Sequence, residues 1–487
     1  MLMANVAEPG VSLQATGVQI TAVLAALVLL LFVIWRFLVG QEGSELEGSP
    51  RALLPEEPAS GGNGELQSRA QKKAKGLQRR DHRIQQDTFA HCLLVGSLKG
   101  HSETITSMDW SSNGHQLITC SEDRTLRLWS AREFQNREHR HSRASIVLDH
   151  ATFVRFTSDA RVVALWLALA DTLRLCKIQC QNDRTLRLVP LCADFPRQHK
   201  AEVIAIDIAA TGRFLMTASS DTTIILWNMK GVVLSSINTN QMQNSYVAVS
   251  PCGRFVGSCG FTPDVKIWEV RFGKTGEFRE VTRAFELKGH KAGVVSFAFS
   301  NDSTRMVSAS KDGTWRIWDT ELEFRGQRDP QLLLSVPLTG DPKTLQIALS
   351  PDSHVAALAS GGDVSVLSTA TGEVMETFAS LHGGWLAELG PHLSVGSGWS
   401  FAMNRTDICI GCGYTTSKLA FDPDGRFLAC CGGRLARVFH NAPGRRAAAM
   451  HLEGAARNAT SDSVRRRLLG QRDKELAALH AINGTKR

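Results

Sequence analysis

Three stretches of this chain repeat one spacing of histidine, serine or threonine, aspartate and tryptophan, and this repeat constrains the fold more than any other feature. The stretches are 98–130, 198–228 and 287–320. In each, the histidine precedes the aspartate by 22 positions, the hydroxyl residue precedes it by four, and the tryptophan follows it by six. Matched spacing predicts three copies of one structural unit. The twelve residues are His101, Thr119, Asp123 and Trp129; His199, Thr217, Asp221 and Trp227; and His290, Ser308, Asp312 and Trp318.

Each copy has the pattern of short strands. In the copy at 287–320, apolar and polar residues alternate over 294–300 and again up to position 310, with turn residues at 301–303 and 311–313. Such alternation predicts an antiparallel meander rather than a helix. The pattern resembles the WD-repeat family of β-propellers, in which one repeat contributes one four-stranded blade. The resemblance implies a hydrogen-bonded relay of the four residue types within a blade, which would supply the donors that a buried aspartate needs.

Four weaker copies bring the number of expected blades to seven. They close at Cys176, Trp268, Leu367 and Phe439, three of them without the tryptophan of the strong copies. The predicted fold class is all-β: a seven-bladed WD-repeat β-propeller over residues 89–442, with an N-terminal transmembrane helix and a C-terminal helical tail. The short strand expected at 91–98 would complete the last blade, because closing a ring removes exposed sheet edges.

The N-terminal segment, residues 1–40, carries a predicted membrane anchor. Residues 9–35 contain no charged side chain, and the apolar run at 18–39 has about the 20 residues that a helix needs to cross a bilayer. Arg36 and Arg51 follow the span, which favours a cytosolic position for the rest of the chain. This charge bias is weak, because five glutamates lie between residues 42 and 57.

Residues 41–88 are predicted to be a disordered linker that contains a polybasic segment at 69–83. Three interpretations of this segment remain open: a solvated stretch without a partner, a site for anionic lipid headgroups, or a site for RNA phosphates. From residue 69 up to Phe89 the sequence has no aromatic residue for base stacking, which argues against specific RNA recognition by the segment. Its basic residues are Arg69, Lys72, Lys73, Lys75, Arg79, Arg80 and Arg83.

Residues 384–416 form an insert within the last blade, expected to be a loop. It contains Cys409 and Cys412, but zinc needs four ligands, and no zinc site is expected. The eleven cysteines are an odd number, and several fall in predicted strands as small apolar residues, which is typical of a reducing compartment. The basic tail at 443–487 contains a predicted helix at 461–482 with an apolar stripe for packing on the propeller or a partner.

The sequence contains none of the motifs that mark common enzymes. There is no phosphate-cradling loop, no HExxH pair and no nucleophile elbow. The recurring His, Asp and Ser/Thr residues are placed by blade architecture. We therefore expect no enzymatic activity, no catalytic, cofactor or metal residues, and no small-molecule substrate. A non-enzymatic scaffold for protein partners is the favoured function class.

The segments 219–227, 237–270, 283–290 and 297–320, together with the anchor and the polybasic segment, resemble a membrane-anchored branch of the WD-repeat family. The resemblance implies residence in the endoplasmic reticulum membrane with the propeller facing the cytosol. It also implies an adaptor role in the unfolded-protein response, beside the membrane kinase that phosphorylates a translation initiation factor, with contacts to mRNA or ribosomes. The alternative is an RNA- or ribosome-binding protein that uses residues 69–83 together with Arg445, Arg446, Arg465, Arg466 and Arg467.

Overall fold

The structure, a computed structural model, describes residues 89–484 except 137–138, 182–184, 322–328, 339, 341, 343, 380 and 382–415. The predicted anchor, linker and polybasic segment lie outside the described residues, as do the two cysteines of the insert. Among the described helices, none is both long and apolar enough to cross a membrane.

The described strands form seven four-stranded antiparallel sheets, so the predicted seven-bladed propeller is confirmed. The first strand of the chain, β1 (Leu94–Lys99), belongs to the last blade. Blade 1 consists of β2 (Ile105–Trp110), β3 (Gln116–Ser121), β4 (Thr125–Ser130) and β5 (His141–Ser145). Blade 2 consists of β6 (Ala151–Phe156), β7 (Val162–Leu167), β8 (Thr172–Cys180) and β9 (Leu186–Pro190). Blade 3 consists of β10 (Val203–Ile208), β11 (Leu215–Ser219), β12 (Thr223–Trp227) and β13 (Val233–Asn238).

The remaining blades follow in chain order. Blade 4 consists of β14 (Asn244–Val249), β15 (Phe255–Gly260), β16 (Val265–Phe272) and β17 (Phe278–Leu287). Blade 5 consists of β18 (Val294–Phe299), β19 (Arg305–Ser310), β20 (Thr314–Asp319) and β21 (Gln331–Pro337). Blade 6 consists of β22 (Leu345–Leu349), β23 (Val355–Ser360), β24 (Asp363–Ser368) and β25 (Val374–Phe378). Blade 7 consists of β26 (Lys418–Phe421), β27 (Phe427–Gly432) and β28 (Leu435–His440), with β1 as its outer strand.

Two features close the ring, as predicted. The first strand of each blade contacts the first strand of the next, and β26 of blade 7 contacts β2 of blade 1. The N-terminal strand β1 pairs antiparallel with β28, so blade 7 contains strands from both ends of the propeller sequence. The pairing hides the edge that β28 would otherwise expose, and it ties the two ends of the ring together.

The core is divided among the junctions between blades. Seven apolar clusters are present in the described residues, and each joins two neighbouring blades. At the junction of blades 4 and 5, for example, Ile267 and Phe297 are fully buried against each other's sheets. Each blade therefore buries both of its faces, which a single four-stranded sheet cannot do alone.

Similar turns join the first two strands of each blade. In blade 5, the Ser300 hydroxyl donates to Asp302 (2.5 Å) and accepts from the backbone N–H of Arg305 (2.9 Å). Equivalent backbone turns occur in the other six blades. We label the four strands of a blade A to D in chain order, with β1 as strand D of blade 7. Because these strands are antiparallel, the turns between A and B all lie at one end of the ring, which we call the AB face. The turns between the second and third strands lie at the opposite end, the BC face.

The tail contains two helices, α1 (Ala442–Asn458) and α2 (Asp462–Gly484). Helix α2 corresponds to the predicted helix, whereas α1 was not predicted as a separate helix. The buried side of α1 consists of small residues such as Ala447 and Ala456, which leave no apolar periodicity in the sequence. Asn441 caps α1 by accepting from Gly444 N–H at 3.0 Å.

Three contacts hold the tail in place, one between its two helices and two with the propeller. Arg445 of α1 pairs with Glu475 of α2 at 2.9 Å. The imidazole of His451 lies against that of His354 on the AB face, with ring centroids 4.6 Å apart. Leu479 and Ile482 of α2 pack against the apolar cluster of blades 6 and 7. The apolar stripe of α2 therefore packs towards the propeller.

Candidate functional site

The four predicted residue types meet at the BC face of blades 1 and 5. In blade 1, His101 Nδ1 lies 2.9 Å from Asp123 Oδ2, and Nε2 lies 2.8 Å from Thr119 Oγ1. The indole Nε1–H of Trp129 donates to the same hydroxyl at 3.0 Å. Blade 5 repeats this arrangement. Its corresponding distances are 2.9 Å for His290–Asp312, 2.8 Å for His290–Ser308 and 2.9 Å for Trp318–Ser308.

The direction of these hydrogen bonds follows from the charges. Burial lowers the pKa of His101 and outweighs the opposing hydrogen bond with Asp123, so the imidazole is neutral near pH 7. Burial alone would raise the pKa of Asp123, but hydrogen bonds from His101 and Thr125 hold it below its ordinary value. Nδ1–H therefore donates to the carboxylate, and Nε2 accepts from the Thr119 hydroxyl. That hydroxyl accepts in turn from Trp129, so it is not free to act as a nucleophile.

Blade 3 differs from this arrangement. His199 Nε2 lies 2.7 Å from Thr217 Oγ1, and Trp227 donates to the same hydroxyl at 2.9 Å. The other imidazole nitrogen lies 3.2 Å from Thr223 Oγ1, and that hydroxyl donates to Asp221 at 2.6 Å. In blade 3, the contact between histidine and aspartate therefore passes through Thr223. Equal sequence spacing does not guarantee equal geometry.

The weaker blades use other polar groups, which the sequence analysis did not identify. In blade 2, the Asp149 carboxylate accepts from the N–H groups of Leu169 and Ala170, both at 2.9 Å. In blade 4, the side-chain amide of Gln241 donates to Ser258 O at 3.0 Å, and Lys266 Nζ donates to Thr239 O at 2.9 Å. Blade 7 has an aromatic contact instead: the ring of the closing residue Phe439 stacks on Phe378 of blade 6, with ring centroids 4.2 Å apart.

A charged cluster in the central channel also escaped the sequence analysis. Arg155 of blade 2 lies 3.5 Å from Asp109 of blade 1 and 3.4 Å from Asp207 of blade 3. Burial raises the pKa of Asp109 to about 6 against the opposing effect of Arg155. Across the channel, Lys418 Nζ lies 5.5 Å from the centroid of the Tyr246 ring. Burial and the charge of Arg155 lower the pKa of Lys418 to about 7.

The channel cluster joins three blades at the axis of the ring. Asp109 accepts from Phe156 N–H at 2.7 Å, and Asp207 accepts from Val249 N–H at 2.9 Å, so each carboxylate also ties its strand to the next blade. By sheet register, the equivalent positions of the other four blades are alanines: Ala248, Ala298, Ala348 and Ala420. At this position of the first strands, charged side chains therefore occur only in blades 1, 2 and 3.

The described cysteines carry free thiols, and five of these nine are buried. Cys92, Cys180 and Cys252 are exposed. The five buried thiols confirm the expectation that several of the cysteines are small core residues. Within the described ranges, no group of three or more His, Cys, Asp or Glu residues is placed to hold a metal ion.

The basic residues of the tail differ in their surroundings. Arg445 is half-buried in its ion pair with Glu475, whereas the side chains of residues 465–467 are exposed along α2. The seven Lys and Arg residues of the polybasic segment at 69–83 lie outside the described part of the chain.

The closed ring and its internal relays define the class of protein: a WD-repeat β-propeller. The family model described as "WD domain, G-beta repeat" matches residues 92–130, 192–228 and 281–319. The chain is 48% identical to transducin beta-like protein 2 of Mus musculus, over 89% of this chain and 92% of the relative. It is also 48% identical to transducin beta-like protein 2 of Homo sapiens, over 86% of this chain and 88% of the relative.

A more distant match supports the same fold. Apoptotic protease-activating factor 1 of Rattus norvegicus is 22% identical over 70% of this chain, and the match spans 26% of that protein. The chain belongs to the transducin beta-like protein 2 family of WD-repeat proteins.

Proposed function

We propose that this protein is a non-enzymatic scaffold, tethered to the endoplasmic reticulum membrane, that presents a rigid propeller to protein partners in the cytosol. The observation that carries the proposal is the internal use of the recurring polar residues. The hydroxyls of Thr119 and Ser308 each contact a histidine and a tryptophan of their own blade, so the repeated motif serves the fold. Loops on a rigid framework are then the surfaces available for binding.

The tether is proposed from the apolar run at 18–39. Confining a scaffold to a membrane surface raises its effective concentration beside membrane-bound partners. We propose that these partners include the stress-sensing kinase that phosphorylates a translation initiation factor, and components of the translation machinery. The support for this finer proposal is the family resemblance, together with the apolar run and the basic segment that follows it.

Protease protection on sealed microsomes tests the orientation. We expect protease to digest the propeller without detergent, while a luminal marker protein survives until detergent is added. Protection of the propeller in sealed vesicles would place it on the luminal side and would remove cytosolic partners from the proposal.

Three forms of the chain test the tether: the full chain, a deletion of 1–40, and a chain in which 18–39 is replaced by an unrelated apolar helix. We expect the deletion to leave the membrane fraction and to lose the stress kinase in co-purification. The replacement should retain both properties, because the proposal needs a span and no particular span sequence. The proposal fails if the deleted form keeps the location and the partners of the full chain.

An RNA-binding function is the second candidate, and it is favoured by the three consecutive exposed arginines at 465–467. Exposed guanidinium groups bind phosphates with salt-sensitive and sequence-independent affinity. In vivo crosslinking should recover less RNA with a variant in which residues 465–467 and the basic residues of 69–83 are changed to glutamine. A matched variant with lysine for each arginine should retain recovery. Equal recovery from the glutamine variant would show that these residues only solvate the chain.

A further inference from the structure

A cavity between blades 3 and 4 on the AB face combines features of a binding site. Its volume is about 420 Å³, within the usual range of roughly 300–1,000 Å³ for ligand sites. One wall is the hairpin of β16 and β17, and β17, with ten residues, is the longest of the described strands. The other walls are the turns that join the first and second strands of blades 3 and 4.

The cavity is lined by four arginines and two glutamates. Arg213, Arg254, Arg271 and Arg279 are exposed, whereas Glu269 is buried. Four guanidinium groups against two carboxylates leave a local surplus of two positive charges, since arginine stays protonated.

Both glutamates of the cavity lining already form ion pairs with arginines of the lining. Glu269 accepts from Arg254 and, at 3.0 Å, from Arg271. Arg271 also lies 3.2 Å from Glu280. These pairs fix the direction of two guanidinium groups on the cavity wall. A ligand would therefore meet the other two arginines.

The surplus charge lies on Arg213 and Arg279. Arg213 forms no ion pair with a carboxylate among the described residues, and Arg279 reaches Glu277 only at 3.9 Å. The guanidinium of Arg213 rests over the Phe272 ring, 5.5 Å from its centroid, which holds it at the cavity. Two arginines held at one cavity are suited to bidentate contacts with carboxylates.

We propose that this cavity, the arginine cavity, binds an acidic segment of a protein partner through Arg213 and Arg279. The inference rests on the proposed scaffold function, because it names the chemistry of one partner. It concerns a site on the propeller and does not depend on the membrane tether.

The surroundings favour a peptide over RNA. Phe272 is the one aromatic ring in the cavity lining, and Arg213 covers it while Phe214 stacks on it at 6.1 Å. Phe272 therefore offers no free face for a base to stack on. Aspartate and glutamate side chains need no aromatic face and can pair directly with the guanidinium groups of Arg213 and Arg279.

Fluorescence anisotropy with the full chain in detergent micelles tests the binding. The probe is a fluorescein-labelled octapeptide of alternating aspartate and glycine, and its control is the same peptide with asparagine. We expect the acidic peptide to bind and the asparagine peptide to bind at least about tenfold more weakly. Equal binding of the two peptides would overturn the inference, since charge would then play no part.

Paired variants locate the site. The double variant Arg213→Gln/Arg279→Gln should lose at least about tenfold in affinity for the acidic peptide. The control variant Arg466→Gln/Arg467→Gln removes the same charge from α2 and should change affinity less than about twofold. Arg213→Lys/Arg279→Lys keeps the charge, and it should bind better than the glutamine variant if both fold. Equal loss in the two glutamine variants would indicate a general charge effect and would overturn the site.

Cys252 provides a measurement that does not depend on these variants. Its thiol is exposed at the cavity, 3.1 Å from the Ser250 hydroxyl. Bound acidic peptide should slow the reaction of Cys252 with a negatively charged aromatic disulfide, with the Cys252→Ser chain as the blank. No protection at saturating peptide would place the peptide elsewhere and overturn the inference. Competition by oligouridine that is lost in Arg213→Gln/Arg279→Gln would reassign the cavity to nucleic acid.

The experiments distinguish a failure of the arginine cavity from a failure of the scaffold function. If Arg213→Gln/Arg279→Gln loses the peptide but keeps its cellular partners, the scaffold function stands and uses another surface for those partners. If the full chain co-purifies with no partner, the scaffold function fails whatever the peptide result.

Discussion

His290 Nδ1 lies 2.9 Å from Oδ2 of Asp312, a residue 22 positions later in the chain. The same carboxylate oxygen accepts from Lys291 N–H at 2.9 Å, while the other oxygen accepts from Thr314 N–H at 2.9 Å. One half-buried aspartate therefore joins the segment that enters blade 5 to the turn between its second and third strands. The Asp312 carboxylate therefore lies between two loops of the BC face and holds them together by hydrogen bonds.

Removing this carboxylate should cost more stability than removing its counterpart in blade 3. Asp312→Ala deletes hydrogen bonds to His290, Lys291 and Thr314, whereas Asp221→Ala deletes bonds to Thr223. We expect the free energy of unfolding to fall by about 2 kcal/mol more for Asp312→Ala. Urea denaturation of both variants measures the difference. Equal losses would show that the bond between histidine and aspartate adds nothing to the blade.

The relays should make the protein less stable in mild acid. Burial lowers the pKa of His290 below its ordinary value of 6.5, against the opposing hydrogen bond with Asp312. The unfolded chain therefore binds protons more readily than the folded chain as pH falls below about 6.5, and stability falls with it. We expect the drop in unfolding midpoint between pH 7.5 and pH 5.5 to be smaller in His290→Gln than in the unchanged chain. An identical drop would show that the titration of His290 is not linked to unfolding.

The aspartates of the relays add a second loss of folding stability at lower pH. Burial would raise the pKa of Asp312, but hydrogen bonds from Thr314 and Lys291 hold it below its ordinary value of 3.8. The stability from this group is complete above about pH 4 and declines as pH falls towards its folded pKa. We expect Asp312→Asn to flatten the stability curve in this lower range while leaving a loss near pH 6. Thermal unfolding at steps of half a pH unit separates the two ranges.

The channel cluster should depend on its central cation. Arg155→Met removes the guanidinium group that both Asp109 and Asp207 contact, and we expect the free energy of unfolding to fall by roughly 2–4 kcal/mol at pH 7. The loss should shrink towards pH 5, because Asp109, whose pKa burial already raises to about 6, can then be protonated. The triple variant Arg155→Met/Asp109→Asn/Asp207→Asn should recover part of the loss. A uniform loss in the single variant at both pH values would argue for packing instead of charge.

Ring closure should depend on β1. Deletion of residues 1–87 leaves every described strand intact, whereas deletion of 1–99 removes β1 and exposes β28, its partner in blade 7. We expect the shorter deletion to give a monodisperse propeller in size-exclusion chromatography and the longer one to aggregate through the open edge. A monodisperse chain without β1 would mean that blade 7 holds with three strands.

The predictions from sequence succeeded where a short segment specifies its own structure. Blade number followed from the spacing of turns and closing residues, and even Cys176 and Phe439 stand where the strong blades have tryptophan. Blade 3 departs from the pattern although Thr223 has counterparts in Thr125 and Thr314 that make the same two contacts. Only in blade 3 does the contact between histidine and aspartate pass through the threonine alone. Helix α1 was missed because alanines pack closely without producing an apolar stripe.

Spacing along the chain was enough to indicate the blades, their turns and most of their relays, because those contacts form within about 25 positions and follow from strand periodicity. Only the tertiary structure of the whole ring determines which side chains are in contact at its axis and between its blades. Ser417 bonds to Ile105 across 312 positions, and Arg155 reaches two aspartates on two other blades. The arginine cavity likewise needs two blades and one long hairpin. No local sequence pattern predicts these long-range contacts, because they depend on how the sheets close around the axis of the ring.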